Sequence, residues 1–545
     1  MPEMNLQNMD LVTLSKQDLA HHVLMELNNQ YQAGRLYQNQ MGFGQTWPEY
    51  ENMKVGKQWP DSTPKTRHLP RPVFNIIELI VHHKTASVLN ENIKMLFSVP
   101  VGDEGPLAYE AADSCTDFSR ALWDQINQAD LNKQVMDMAA TTGTGIWHYY
   151  WDADYFKPGH HKYAGRLVGE SIDPVNCFFG NPQIRNVQEQ PWVLIASRER
   201  VEQVKKRARQ NGLTDYLVAA EPNPNSSYYE AARLEGGEDY VTLLTRYWRD
   251  ETGKVLFAQS TSGQMITPPT DTGLTLYPLE VMNWKIRKRS IYGVSEVEGL
   301  VPNQRSINFL MAMLLLSVQD TAWPKVLVKP GALNQVLTNM PGEIVVDNSP
   351  LGDGIRYMSP APISGQALSL VEKVYELTRN VVGASEIITG ENFTSQMSGA
   401  AIIAMQKAAS IPVEQIKKRF LRSLVNIGHI WEEFFKAKYG LALPLAGEKQ
   451  KSRLVRGTNY AGIPLDLKVE VGASADYSEA LMMANLENFL SQGHITFEEA
   501  LEFMPDNVVP FKHDLLAKVQ ERNLAKSMMA QEMAASQQST QGILE

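Results

Sequence analysis

The stretch from residue 285 to residue 440 limits what this 545-residue chain can fold into more than any other. It reads as a basic strand end, a long helix, a compact two-strand module, a second long helix, a polar loop and a third long helix. Two helices that leave and re-enter a body around a small β tip form a rod-like protrusion, stable only if neighbours cover its apolar sides. Ser295 and Glu298 have the S-x-x-E spacing of a capping box, which predicts the start of the first helix. Pro324 predicts its end near Thr321. Roughly 26 residues at about 1.5 Å each give a length of about 39 Å. The second half, FLMAMLLL (309–316), is apolar on every side, so it needs a core or adjacent subunits around it.

Two β-rich runs follow, PKVLVKPG and GEIVVDNS, with a helical turn between them; Val326, Val328, Ile344 and Val346 are the expected inward positions. Ser364 is placed to cap a second helix over about 366–382, with Leu370, Val374 and Leu377 on one face. ITGENFTSQMSG is a polar loop, interrupted only by Phe393 and Met397. Ser398 then caps a third helix reaching about Lys438, in which Pro412 predicts a kink.

Upstream, Ser15 and Asp18 resemble a helix cap, and Leu19, Val23, Leu27 and Tyr31 follow at helical spacing. Residues 36–72, rich in Gly, Pro and aromatics, read as an extended arm that either wraps a neighbouring subunit or lies over its own core. Helices are expected at about 75–96, 107–127 and 131–141. TTGTGIWHYYWD switches to strand periodicity, with Ile146, His148 and Tyr150 alternating with Trp147, Tyr149 and Trp151. Further strands are expected at 167–172, 192–197, 241–249, 254–259 and 274–284, with a basic helix at 199–211 and loops at 220–238 and 260–273. This is an α+β body with an antiparallel sheet. A short β stretch at 465–471 and helices at 477–491, 496–503 and 510–534 complete the chain.

The formal net charge of −10 provides no global basic field for nucleic acid, so any contact with it must be local or weak. Only two cysteines, Cys115 and Cys177, in a chain this long point to a reducing compartment. The N-terminus lacks a basic region followed by an apolar run, and 309–316 falls far below the ~17–25 residues that span a bilayer. A soluble intracellular assembly, with no membrane partner, is the expectation.

Familiar chemistry is scarce. GTGIWH and GRLVGES both fail the phosphate-loop pattern. The pairs His21–His22, His82–His83 and His160–His161 place adjacent side chains in different directions, which does not make a chelating face, and neither cysteine lies in a C-x-x-C. Asp152 and Asp154 in WDADY read as solvated carboxylates rather than an acid–base pair. No catalytic residue, metal or cofactor is therefore assigned. Lys285, Arg287, Lys288 and Arg289 form the densest basic segment near the protrusion, either a phosphate contact or, the favoured reading, a solvated or interface-paired strand end. The helix carrying Lys205, Lys206, Arg207 and Arg209 reads as a solvated face.

IYGVSEVEGLVPNQRSINFLMAMLLLSVQD, the WPKVLVKPG tip and ITGENFTSQMSGAAI, in this order, resemble a portal protein of tailed bacteriophages, with G-x-S-x-x-E at 293–298 the most telling pattern. The resemblance implies an arm and α/β wing over 1–284, a first stem helix over 285–322, a clip over 323–362 and a second stem helix over 363–387. A channel loop over 388–398, a kinked wing helix and return over 399–475, and a short crown and tail over 476–545 follow. It implies a non-enzymatic, dodecameric ring at one capsid vertex of the virion, assembled in the host cytoplasm. Such a ring conducts double-stranded DNA during packaging and ejection, docks the large terminase subunit and then head–tail adaptors, and meets the major capsid and scaffolding proteins. Asn392, Phe393, Thr394 and Gln396 would face DNA. Lys325, Lys329, Glu343, Asp347 and Arg356 would dock motor or adaptor at the clip, and Leu310, Leu314, Leu315 and Val318 would be buried between stems. Twelve copies carry roughly −120 formal charges, which suits an acidic lumen that repels phosphate. The competing expectation is a metal-dependent nucleic-acid-processing enzyme, which needs a carboxylate cluster that the motifs do not supply. A secretion-type channel would need a signal or a spanning segment.

Overall fold

A computed structural model describes residues 16–67, 69–89, 92–103, 105–153, 155, 165–221, 240–322, 326–332, 346–349, 354–357, 365–381, 399–440, 443–446 and 452–472, with scattered residues between 486 and 522. The fold is mixed helix and sheet of the α+β class. It divides into a large unit (1–89 and 95–469) and a small one (90–94 and 470–545). The helices expected beyond residue 476 lie largely outside the described residues.

The N-terminal half opens with helices α1 (Lys16–Gln40), α2 (Phe43–Lys54) and α3 (Ile76–Leu89), strand β1 (Asn92–Ser98), and helices α4 (Pro106–Gln125) and α5 (Gln128–Thr142). Strands β2 (Thr144–Asp152) and β3 (Arg166–Ser171) follow. The extended arm is corrected over its first half: residues 36–54 are helical apart from a break at Gly42, whose φ of +77° only glycine adopts easily. Phe43 and Trp47 stack at 4.6 Å and both lie against Tyr292, burial that offsets the roughly 3 kcal/mol cost of Pro48 inside α2. Beyond Lys54 the chain is irregular, and Trp59 Nε1 donates to Pro72 O at 2.8 Å, folding the segment back on itself. The helix expected to reach residue 96 stops at Leu89, because residues 92–98 form β1, which pairs with β14 (Asp466–Gly472).

Two antiparallel sheets make the body. β9 (Leu279–Asn283) joins β2 and β3 in the order β3-β2-β9. The second sheet runs β4-β5-β6-β7-β8, from β4 (Cys177–Phe179), β5 (Trp192–Arg200), β6 (Tyr240–Arg249), β7 (Val255–Ser260) and β8 (Met265–Asp271). Residues 260–273, expected as loop, therefore contain a strand. β8 carries Pro268 and Pro269, and it sits at the sheet edge, where prolines forfeit no ladder hydrogen bond. The strand expected over 274–284 shrinks to 279–283.

Alternation along each strand decides what packs where. Leu194, Ala196, Leu244, Ala258 and Met265 bury one face of the five-stranded sheet against Val23, Leu27 and Tyr31 of α1. On the other face, helix α6 (Val201–Gln210) packs Val204 and Ala208 on Val241 and Leu243. In β2, Trp147 donates to Asn132 Oδ1 at 3.1 Å and Tyr149 meets Trp431 edge-on at 5.8 Å.

The segments expected to form a protrusion contain helix α7 (Val301–Ala322), strand β10 (Val326–Val328), strand β11 (Ile355–Tyr357), helix α8 (Gly365–Val381) and helix α9 (Gly399–Lys438). α7 packs against α8, and α9 returns to pack on β9, α3 and α4. α9 is helical throughout, with Pro412 internal. A hairpin of β12 (Leu443–Ala446) and β13 (Ser452–Val455) precedes β14.

Candidate functional site

The base of α7 is where the G-x-S-x-x-E pattern acquires physical meaning. α5 ends in Gly143, at φ +95°, a left-handed C-cap that favours glycine. Gly293 lies directly against it: a Cβ there would sit 2.2 Å from Gly143 O, so only glycine permits this approach of two backbones. Gly293 N–H donates to Thr144 Oγ1, Trp284 N–H to Gly143 O and Glu296 N–H to Ala140 O, each at 2.9–3.0 Å.

Ser295 does not form the expected capping box. Its buried hydroxyl is shared between Ala140 O (3.1 Å) and Thr141 O (2.6 Å), and accepts from Val297 N–H. Helix α7 accordingly starts at Val301, and Glu298 pairs with Arg287 at 3.6 Å instead of capping. The tertiary contacts of this turn outcompete a local cap.

At the centre lies Glu296, whose side chain is 2% exposed. It accepts from Lys84 Nζ (2.8 Å), Lys285 Nζ (2.9 Å) and Trp284 Nε1 (2.8 Å). Burial pushes the Glu296 carboxyl up, but Lys84 and Lys285 together pull it below its ordinary value. Burial dominates for Lys84 and lowers its pKa despite the carboxylate beside it. Sequence reasoning missed this cluster. A lysine inside the apolar helix IIELIVHHKTASVL was the available signal, since a buried ammonium needs a partner.

The basic segment divides accordingly. Lys285 and Arg287 hold Glu296 and Glu298, and the Arg287 guanidinium lies 5.7 Å from the Phe43 ring centre. Lys288 and Arg289 are exposed, the latter at φ +48°. Arg419 of α9 clamps the same strand end, donating to Asn283 O (3.2 Å) and Trp284 O (2.6 Å).

Glu280, one strand turn earlier, is fully buried beneath α9, where Asn426 Nδ2 donates to it at 3.0 Å. Burial raises its carboxyl from 4.5 to about 7, with Asn426 and Ser423 opposing. Folding therefore favours the protonated form: stability is full at low pH and falls as pH rises from about 4.5 to about 7. The expected slope is about 1.4 kcal/mol per pH unit inside that window. Denaturant titrations of wild type and Glu280→Gln across pH 4.5–7 check this, because the difference between them should grow in favour of the variant as pH rises. A constant difference would refute it.

α7 exposes apolar side chains on more than one side in the single chain. Ile307 and Ala312 point inward, whereas Phe309 (59%), Met313 (50%), Leu315 (43%) and Val318 (52%) are open to solvent. Leu310 and Leu314 are half-buried. Leu370 and Leu377 of α8 are likewise half-exposed, at 50% and 49%.

In the tip, β10 pairs antiparallel with β11, matching Val326 to Tyr357 and Val328 to Ile355. Among the described residues the partner of PKVLV is the short IRY run, and GEIVV lies outside them apart from Val346. Val346, expected inward, is 57% exposed. The Asp347 carboxylate is hydrogen-bonded by the Ser349 hydroxyl, by Ser349 N–H (2.9 Å) and by Gly354 N–H (3.0 Å), bonds that bring its pKa down and order this turn. Lys329 N–H donates to Gly354 O at 2.8 Å while its side chain is exposed, as is that of Arg356. Lys325, Glu343 and Ile344, and the loop residues Asn392, Phe393, Thr394 and Gln396, lie outside the described residues.

Among the described residues, no group of three or more His, Cys, Asp or Glu side chains is disposed to hold a metal ion, and no helix is long and apolar enough to cross a membrane. No known family model matches the chain, and no curated protein matches it.

Proposed function

We propose that this chain is a portal protein of a tailed bacteriophage, a non-catalytic ring subunit that conducts double-stranded DNA through one capsid vertex. The observation that carries this reading is the set of exposed apolar side chains on α7 and α8, on more than one side of α7, in a helix pair that flanks a small two-strand tip. A monomer would leave those side chains in water; adjacent copies in a ring would cover them. The long return helix clamped to the wing sheet, the buried stem base and the net charge of −10 agree with a rigid conduit that repels phosphate. In this reading α7 and α8 are the stem, and β10 and β11 belong to the clip that receives the terminase and then the head–tail adaptors. The 388–398 loop faces DNA, and the body meets capsid and scaffolding proteins. Negative-stain microscopy of the purified chain is expected to show rings, twelvefold, with a central hole. Compact monomers at high concentration would overturn the proposal.

A further inference from the structure

The two sheets of the body face each other across a cavity of about 620 Å³, within the size range of small-molecule sites. Facing sheet surfaces are ordinarily apolar and packed about 10 Å apart. Here polar groups stand among the apolar ones. Thr245, Gln259 and Thr267 stand side by side in register across β6, β7 and β8, on the face opposite to the α1 core. Gln259 Nε2 donates to Thr245 Oγ1 (3.1 Å), and Thr267 Oγ1 donates to Gln259 Oε1 (3.0 Å). Thr245 and Thr267 are only 7% and 8% exposed, so these groups are preset within the fold instead of being loosely solvated.

Across the cavity, β2 offers His148 and Tyr150, whose rings stack at 5.6 Å. His148 Nδ1 lies 2.8 Å from Glu170 Oε1, and Nε2 lies 3.0 Å from Tyr247 OH. With Nδ1–H donating to the carboxylate, Nε2 accepts from the phenol, and this wall is locked in one arrangement. Tyr150 and Phe257 add ring surfaces to the lining.

Several charges on the walls have partners within the chain. Glu199 holds Arg207 at 3.1 Å, Asp271 faces Lys254 at 3.4 Å and Asp152 faces Arg166 at 3.9 Å, while Arg198 and Lys438 also line the cavity and Glu170 accepts from His148. A neutral ligand with an apolar ring face and a rim of groups that both donate and accept would find complementary surface on each wall.

We propose that this cavity binds a neutral saccharide, its C–H face against Tyr150 and Phe257 and its hydroxyls on Gln259, Thr245 and Thr267. Sugar hydroxyls donate and accept at once, as do the threonine hydroxyls and the glutamine amide, so each can bond the ligand while keeping its neighbour. The site is lined by residues of one chain.

Saturation-transfer NMR and titration calorimetry on the full chain, with glucose, galactose, N-acetylglucosamine and maltose as probes and adenosine as comparator, test this. At least one saccharide is expected to bind with a Kd of about 1 mM or tighter, and Tyr150→Ala is expected to weaken it at least about tenfold. Tyr150 is 36% exposed, so its removal spares the fold, which a melting curve verifies. Gln259→Ala gives a second reading from the opposite wall. Absence of binding by all four sugars, binding of adenosine alone, or saccharide affinity unchanged in both variants would overturn the assignment.

Discussion

Leu315→Asp and Val318→Asp should each yield a folded chain that no longer forms rings. Both side chains are about half exposed in the single subunit, so an aspartate there meets water and the monomer keeps its melting temperature within a few degrees. In a ring the same positions would be enclosed, and an unpaired carboxylate buried at every interface costs several kcal/mol each time. Because a closed ring repeats that cost at every junction, assembly should fail outright instead of weakening. Sedimentation velocity or native mass spectrometry reads the result directly, with circular dichroism confirming the fold. Variants that assemble like wild type would remove α7 from the subunit interface and, with it, the main support for the portal reading. Leu314→Asp is a less clean probe, since Leu314 is half-buried within the subunit.

Glu296→Ala is expected to destabilise the monomer by about 3–5 kcal/mol, because it strands the Lys84 ammonium in the interior without its counter-charge. Lys285 contributes less to that figure, since it is half exposed and water screens it. The pH dependence has the opposite sign to that of Glu280. Glu296 is held below its ordinary value, so its stabilisation is present above about pH 4.5 and is lost as pH falls through the lower folded value. Urea unfolding at neutral and acidic pH measures both effects. The double variant Lys84→Met/Glu296→Leu, which removes both charges, should recover much of the loss. A loss below about 1 kcal/mol in Glu296→Ala would mean that the cluster is solvated and holds nothing.

Much of the body was legible from local pattern. Helices α4 and α5 and strands β2, β5 and β6 announce themselves through periodicity and bounding glycines. The failures share a cause, which is tertiary context overriding a local rule. Ser295 and Glu298 have capping-box spacing, yet the serine serves α5 carbonyls and the glutamate serves Arg287. Pro48 suggests an extended arm, yet Phe43 and Trp47 hold the helix through their burial on Tyr292. Pro268 and Pro269 suggest a loop, yet an edge strand accommodates them. The bond between Lys84 and Glu296 spans 212 positions, a distance at which no window or motif can connect two residues. Leu315 and Val318 are about half exposed in the single chain, and Lys285, Arg287 and Asp347 each have partners within it.

The contact between Gly143 and Gly293 has a mechanical consequence. Side chains can rotate under load, but two peptide backbones at van der Waals limit, cross-bonded through Thr144, Trp284 and Glu296, cannot slide past one another without breaking several hydrogen bonds together. A thrust or twist applied along α7 would therefore pass undamped into α5 and the β2–β9 strands. Bending of α7 is expected beyond this joint. The joint acts as a weld, and bending is displaced to the end of the lever.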